Sequence, residues 1–441
     1  MMRAPIAEFL DKYAASDTVR LHMPGHKGTT GVEKYDITEI KGADSLYDAE
    51  GIIKESEAVA SELFGARTYY STEGSSLAIK AMLYLALFTK KRSGRPLVLA
   101  GRNAHRAFVS AAALLDLDVE WLLCEDSYLS CHVDGESLKA RLDELDRKPD
   151  AVYLTSPDYL GSLVDVGELA DVCHERGILL LIDNAHGAYL RFIEPSLHPI
   201  DLGADMCADS AHKTLPVLTG GAYLHLGERL GDITDEAVRS ALALFGSTSP
   251  SYLILRSLDL ANIFLATEMR GKMQIIISKI ASFKAELSKI GYEFIGDEPM
   301  KISIDASAYG YTGEELAELL RGRAIECEFA DRDSLTLMPS VSDIEAVDKL
   351  LAALLEIPRG KRSKSTPPKP IGAERITSIR EAMMMPSVRT RVEKCVGRVL
   401  AAPDAACPPA VPILFPGERI SEEHVKLLSY YGKTHLTVVD D

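Results

Sequence analysis

A chain of 441 residues is well above the ~100–150 of one typical domain, so at least two are expected. Hydrophobic residues at 46% and charged residues at 26% are the balance of a soluble globular protein with ample chain for a large core. A formal net charge of −16 repels phosphate backbones and argues against a nucleic-acid partner, while attracting a cationic substrate only weakly.

Residues 1–53 read as irregular, with the turn-rich run HMPGHKGTTG at 22–31. A regular alternation begins near residue 54. Lys54–Phe64 is expected as a helix, Arg67–Ser71 as a short strand, and Ser75–Phe88 as an almost wholly apolar, hence buried, helix. Strand-like runs at Pro96–Ala100, Val119–Cys124, Ala151–Thr155 and Ile178–Ile182 then alternate with helical patterns. Those helices cover His105–Leu117, a segment capped by Asp134 and ending near Leu145, and Val166–Glu175. Short apolar strands joined by helical crossovers predict an α/β protein with a mostly parallel sheet between helices.

From Asp235 to about Lys289 the pattern is helical and long, as in a connector. A smaller α+β region follows over Glu293–Ile357, then a basic, proline-rich linker, GKRSKSTPPKP, at 360–370. The expected organisation is an N-terminal segment 1–53 serving the active site or a dimer contact, and a large domain with its helical connector at 54–290. A small α+β domain at 291–359, the linker 360–370, and a region of two or three helices at 371–441 complete it. Met1–Leu10 lacks a signal-peptide core, and no run of ~18 uncharged apolar residues appears. Seven cysteines, none in a C-x-x-C pair, suit a reducing compartment, so a cytoplasmic location with no membrane partner is expected.

The chemistry centres on DSAHKTLPVLTGGAYL, residues 209–224. Lys213 is flanked by Ser210, His212 and Thr214, and Pro216 with Gly220–Gly221 predicts a loop rather than a helix. A lysine at the edge of a parallel sheet sits where open α/β folds bind ligands, and desolvation there makes its amine a competent nucleophile. By itself a lysine in a polar loop is most often merely solvated. Asp183 ends the apolar run Ile178–Ile182, where a carboxylate is costly unless something needs its charge; a pyridinium nitrogen is one such partner. The plainer reading is a turn aspartate. Thirty residues separate Asp183 from Lys213, room for one strand–crossover–strand unit. Gly74, Ser75 and Ser76 open a buried helix, whose free N–H groups and hydroxyls suit a phosphate monoester, although a serine N-cap is common in any protein. His105, at a strand-to-helix turn, is placed to stack on an aromatic ring or simply to satisfy its loop.

The order of these motifs resembles the fold-type-I pyridoxal-phosphate (PLP) enzymes, and specifically the bacterial ornithine/lysine/arginine decarboxylase family. The likeness covers nearly the whole chain, from LHMPGHKG at 21–28 and DITEIKGADSL at 36–46, through STSPSY at 247–252, to PPAVPILFPGE at 408–418. It is similar to the short form, which lacks an N-terminal receiver-like domain. The resemblance implies a PLP-binding large domain, a smaller α+β C-terminal domain, and a homodimer or higher homo-oligomer. It also implies roles. Lys213 would carry PLP as a Schiff base, Asp183 would pair with the pyridine nitrogen, His186 would sit close to the ring, and His105 would stack on its face. Ser75, Ser76, Ser210 and His212 would surround the phosphate, with Thr248 or Ser249 reaching that of a neighbouring subunit. The reaction implied is loss of CO₂ from a basic amino acid — arginine, lysine or ornithine — with Lys213 or His212 returning a proton to Cα. Glu418 is the candidate partner for the substrate's side-chain cation, or else an acid ahead of a helix at Ser421. Three positions depart from the family pattern. A serine is usual where His105 is followed by Arg106-Ala107, a tyrosine at Cys407 and a glycine at Ala410. The last two lie in the segment the family uses near its substrate entrance.

Rival readings are few. Ser210-Ala211-His212-Lys213 matches S-x-x-K of serine acylases, but the S-D-N and K-T-G partners are missing. His22 and His26 have metal-ligand spacing, but Pro24 and Gly25 break the helix such a pair needs. An aminotransferase or lyase on the same fold, or a non-catalytic relative, are the remaining alternatives.

Overall fold

The computed structural model describes residues 3–29, 31–88, 94–123, 127–361, 368–404 and 411–440. Most of the 360–370 linker, together with Cys124, Cys407 and Ala410, lies outside these. Seven strands make up the α/β part: Arg67–Ser71 (β1), Leu97–Gly101 (β2), Asp118–Leu122 (β3), Ala151–Thr155 (β4), Leu179–Asp183 (β5), Met206–Asp209 (β6) and Ala222–Leu226 (β7). Each expected strand falls within a residue or two of its place. β6 and β7, one on either side of the lysine segment, are additions.

The chain divides into two units, Met1–Arg92 with Val166–Met273, and Ser93–Asp165 with Gln274–Asp441. In the first unit β5 and β6 are parallel, and β7 runs antiparallel to both β6 and β1. The helix Gly74–Phe88 packs on β7, β6 and the helix Asp235–Phe245. Leu77, Ile79, Met82, Leu83, Leu85 and Leu87 are all buried. Apolar on every side, this helix can only be a core element; each such side chain contributes about 1.5–3 kcal/mol on burial.

In the second unit β2 is flanked by β3 and β4, both parallel to it. An antiparallel sheet of Glu293–Ile295 (β8), Ile302–Asp305 (β9), Phe329–Ala330 (β10) and Ser334–Leu337 (β11) follows, in the order β10-β11-β9-β8. This is the smaller α+β region, with helices Gly313–Arg321 and Ala346–Glu356.

Residues 1–53 are not irregular throughout, since Pro5–Ala14 forms a helix that buries Ile6, Ala7 and Leu10. Three other local expectations are corrected. The long helical stretch is three helices, Asp235–Phe245, Tyr252–Thr267 and Met269–Lys289. Its first break falls at Gly246, where a Cβ would collide with the Tyr47 hydroxyl, and Pro250 lies just ahead of the next helix. The C-terminal region is not only helical: Ser387–Arg391 (β12) pairs antiparallel with His435–Val439 (β13). Those partners are far apart in sequence, and β12 is mostly exposed, so no local apolar alternation announces it. The third correction is at Lys213 itself.

Candidate active site

β5 and β6 end side by side on acids, Asp183 and Asp209, and the lysine segment leaves directly from β6. Residues Ala211–Thr214 form one helical turn instead of the expected loop. The Lys213 N–H bonds the Ser210 carbonyl at 3.1 Å and the Leu215 N–H bonds that of Ala211 at 2.8 Å. Pro216, lacking an N–H, allows no continuation. The turn aims the lysine, whose Nζ lies 3.0 Å from His186 Nε2. His186 comes from the segment just after β5 and is buried.

Asp183 is 1% exposed and accepts the Ala185 N–H at 3.2 Å. The Ser210 hydroxyl donates to Ser75 Oγ at 2.7 Å, which joins the lysine turn to the start of the helix Gly74–Phe88. Ser76 is half-buried on the same first turn. Gly74 N–H donates to the Gly220 carbonyl at 2.7 Å. Gly220 has φ +99°, and a Cβ there would lie 2.8 Å from the Thr72 carbonyl oxygen, so the loop after the lysine is held tightly against the helix start. His212 Nδ1 faces the Gly221 carbonyl at 3.1 Å. Thus Lys213, His186, Asp183, Ser75, Ser76, Ser210 and His212 all belong to the first unit, joined by these short contacts and by adjacent strand ends.

Ser247–Ser249, including Thr248, are exposed, and the Ser247 N–H donates to the Glu73 carboxylate. His105 belongs to the second unit, where it caps the helix Arg106–Leu115, its Nδ1 accepting the Ala107 N–H at 3.1 Å. That bond lies in the ring plane and uses neither face.

Glu418 is placed differently from its expected substrate contact. It is buried in the second unit, where Arg102 donates to both carboxylate oxygens at 2.6 and 2.7 Å and the Phe415 N–H adds a bond at 2.8 Å. A carboxylate held on both oxygens by one guanidinium has its charge already compensated. The pair therefore reads as internal structure. Glu418→Ala is expected to lower unfolding stability by about 3 kcal/mol in urea titrations, because Arg102 is left buried and unpaired. Replacing both residues with leucine should restore much of that loss; equal losses in the single and double variants would contradict the assignment.

The other rival sites find different partners. The Ser210 hydroxyl donates to Ser75 Oγ, the contact that ties the lysine turn to the helix start. His22 Nε2 meets the Tyr13 hydroxyl at 2.6 Å and His26 Nε2 meets Asp36 at 3.1 Å, so the two rings face different partners. Asn184 is the residue that reading the sequence passed over. Fully buried between Asp183 and the His186 segment, it donates from Nδ2 to Asp209 Oδ1 at 2.7 Å. The matching acids that end β5 and β6 are the available signal.

The donor set fits PLP on its own chemistry. An amine lies beside an imidazole, a buried carboxylate closes a strand, and two hydroxyls stand at the start of a fifteen-residue helix. The Thr214 hydroxyl oxygen and Asn184 Oδ1, both buried, have no hydrogen-bond partner among the described residues. Such orphaned polar atoms are what a polar ligand would complete.

Fold and site together define a fold-type-I enzyme. The chain belongs to the Orn/Lys/Arg decarboxylase family, whose major-domain model matches residues 4–302, and it is a decarboxylase. It is 29% identical to an arginine decarboxylase of Halalkalibacterium halodurans, over 99% of this chain and 95% of that protein. It is 28% identical to an arginine decarboxylase of Bacillus subtilis, over 96% and 92%. The crystal structure of the Francisella novicida lysine decarboxylase superposes with TM-score 0.78 over all of this chain and 81% of that one; at 19% identity this shows the fold.

Proposed function

We propose that this chain decarboxylates a basic L-amino acid using PLP, with arginine the first substrate to test. The observation that carries the reading is the contact of Lys213 Nζ with His186 Nε2, beside Asp183 and the Ser75–Ser210 pair. Two full-length relatives named as arginine decarboxylases favour arginine over lysine and ornithine.

PLP, when bound, supplies the electron sink for the bond to the leaving carboxylate. The chain's residues do the rest. Lys213 would anchor the cofactor and return a proton to Cα, with His186 beside the amine and His212 as the other candidate proton donor. Asp183, buried at the end of β5, would keep the ring nitrogen protonated. Ser75, Ser76, Ser210 and the helix start hold the phosphate. Burial of Asp183, His186, Ser75 and Ser210 keeps water from that side of the site and so favours loss of charge from the substrate carboxylate.

We further read the active form as a homodimer, in which Thr248 reaches the neighbouring cofactor. Val19, Leu21, Met23 and Val32 are large apolar side chains exposed within one N-terminal segment, a pattern that calls for a covering surface. Among the described residues no helix is long and apolar enough to cross a membrane. A cytoplasmic location fits the cysteine usage.

The test is CO₂ release from purified, PLP-loaded protein offered arginine, lysine and ornithine in parallel. Turnover of arginine at least tenfold faster than of the others is expected. CO₂ from lysine or ornithine alone would keep the reaction and change the substrate. A yellow protein that releases none, but forms a keto acid, would favour an aminotransferase.

A further inference from the structure

Behind the lysine turn, four side chains of the first unit converge: His198, Cys207, Asp209 and His225. All four are fully buried, and their donor atoms lie within 4.8 Å of one another. We propose that they form a tetrahedral zinc site that staples β6 and β7 beneath the cofactor pocket.

The distances match. Asp209 Oδ2 is 3.1 Å from His198 Nε2 and 3.2 Å from His225 Nε2. Cys207 Sγ is 3.9 Å from His198 Nε2, and all four ligand atoms lie within 4.8 Å of one another. Zinc bonds of ~2.0–2.3 Å place tetrahedral ligands roughly 3.3–3.8 Å apart, so shifts of no more than about 1 Å would admit the ion. One thiolate with two imidazoles and a carboxylate is a zinc set; magnesium and calcium would demand oxygens.

The surroundings also fit. His225 Nδ1 is 2.9 Å from the Thr68 hydroxyl, and Asn184 Nδ2 holds the other Asp209 oxygen, the supports that orient metal ligands. Phe64 packs on both imidazoles, with ring centroids 5.7 Å from His198 and 4.6 Å from His225, so the site is dry.

The charges balance as well: Zn²⁺ with one thiolate and one carboxylate sums to zero, so the bound site buries no net charge. The proton released from Cys207 leaves to solvent as the metal enters. The site would fix Asp209, and through it Asn184, next to Asp183 and the strand that launches Lys213.

Metal content of the untagged, PLP-loaded wild type tests this without a variant. Elemental analysis after refolding with excess zinc and gel filtration through chelator should give about one zinc per chain. X-ray absorption should show one sulfur among nitrogen and oxygen neighbours, and Cys207→Ser should lose the sulfur signal. Less than ~0.1 zinc per chain in protein with normal cofactor colour would overturn the proposal, leaving Asp209 the centre of a plain hydrogen-bond network. So would bound zinc with no sulfur neighbour, which would place it elsewhere. Neither readout depends on which amino acid is the substrate.

Discussion

Lys213→Ala should lose turnover by about 10⁴-fold or more, equivalent to roughly 5–6 kcal/mol of transition-state stabilisation. The size follows from the number of tasks on one side chain. In the proposed mechanism Lys213 is the covalent anchor, and its Nζ, 3.0 Å from His186 Nε2, is also a proton carrier. Alanine fits the helical turn Ala211–Thr214, so the fold should survive, and the Ser75–Ser210 contact should still hold the phosphate weakly. The variant should therefore bind PLP reversibly. Borohydride treatment followed by peptide mapping separates the cases: the wild type should carry a permanent adduct on the peptide containing Lys213, the variant none. Lys213→Arg, which keeps the charge without a usable nucleophile, should be as inactive as alanine. An adduct on another lysine, or activity within a hundredfold of wild type, would remove Lys213 from its role.

Asp183→Asn should lower kcat by about 10³-fold, or roughly 4 kcal/mol, while KM moves by no more than a few-fold. Asparagine is nearly isosteric and still accepts the Ala185 N–H, so the end of β5 should hold its shape. What disappears is the negative charge. A buried acid at 1% exposure has little water to screen it, so the ring nitrogen it faces would feel the full change. The split matters: a merely structural aspartate would show loss of stability or cofactor binding with kcat per bound PLP unchanged. Asp183→Glu, which restores charge at the wrong reach, should recover part of kcat.

Much of this molecule was legible in order of residues. Ile178–Ile182 followed by Asp183 could only be a buried strand ending on an acid, because five apolar side chains leave nowhere else for it. Ser75–Phe88, apolar all round, could only be a core helix. The sequential order of serine cup, histidine, strand-end aspartate and S-x-H-K-T carried the family and singled out Lys213 as the proposed anchor. These are local signals, written within ten or fifteen residues each.

The rest needed three dimensions. Whether Lys213 sat in a loop or a turn depended on hydrogen bonds from Ser210 and Ala211, against the local influence of Pro216 and two glycines. Glu418 looked like a free acid in a proline-rich segment, yet Arg102, 316 residues earlier, closes on it. β12 and β13 are paired by neighbours that local pattern cannot see. The cluster of His198, Cys207, Asp209 and His225 arises only because β6 lies beside β7 and the His198 loop folds back on both. Sequence by itself determined what apolar periodicity and short motifs can encode: β1 to β5, the core helix and the family likeness that singles out Lys213. Tertiary structure alone decided which charges meet, because the partner of a buried charge is chosen by proximity in space, and separation along the chain places no limit on it.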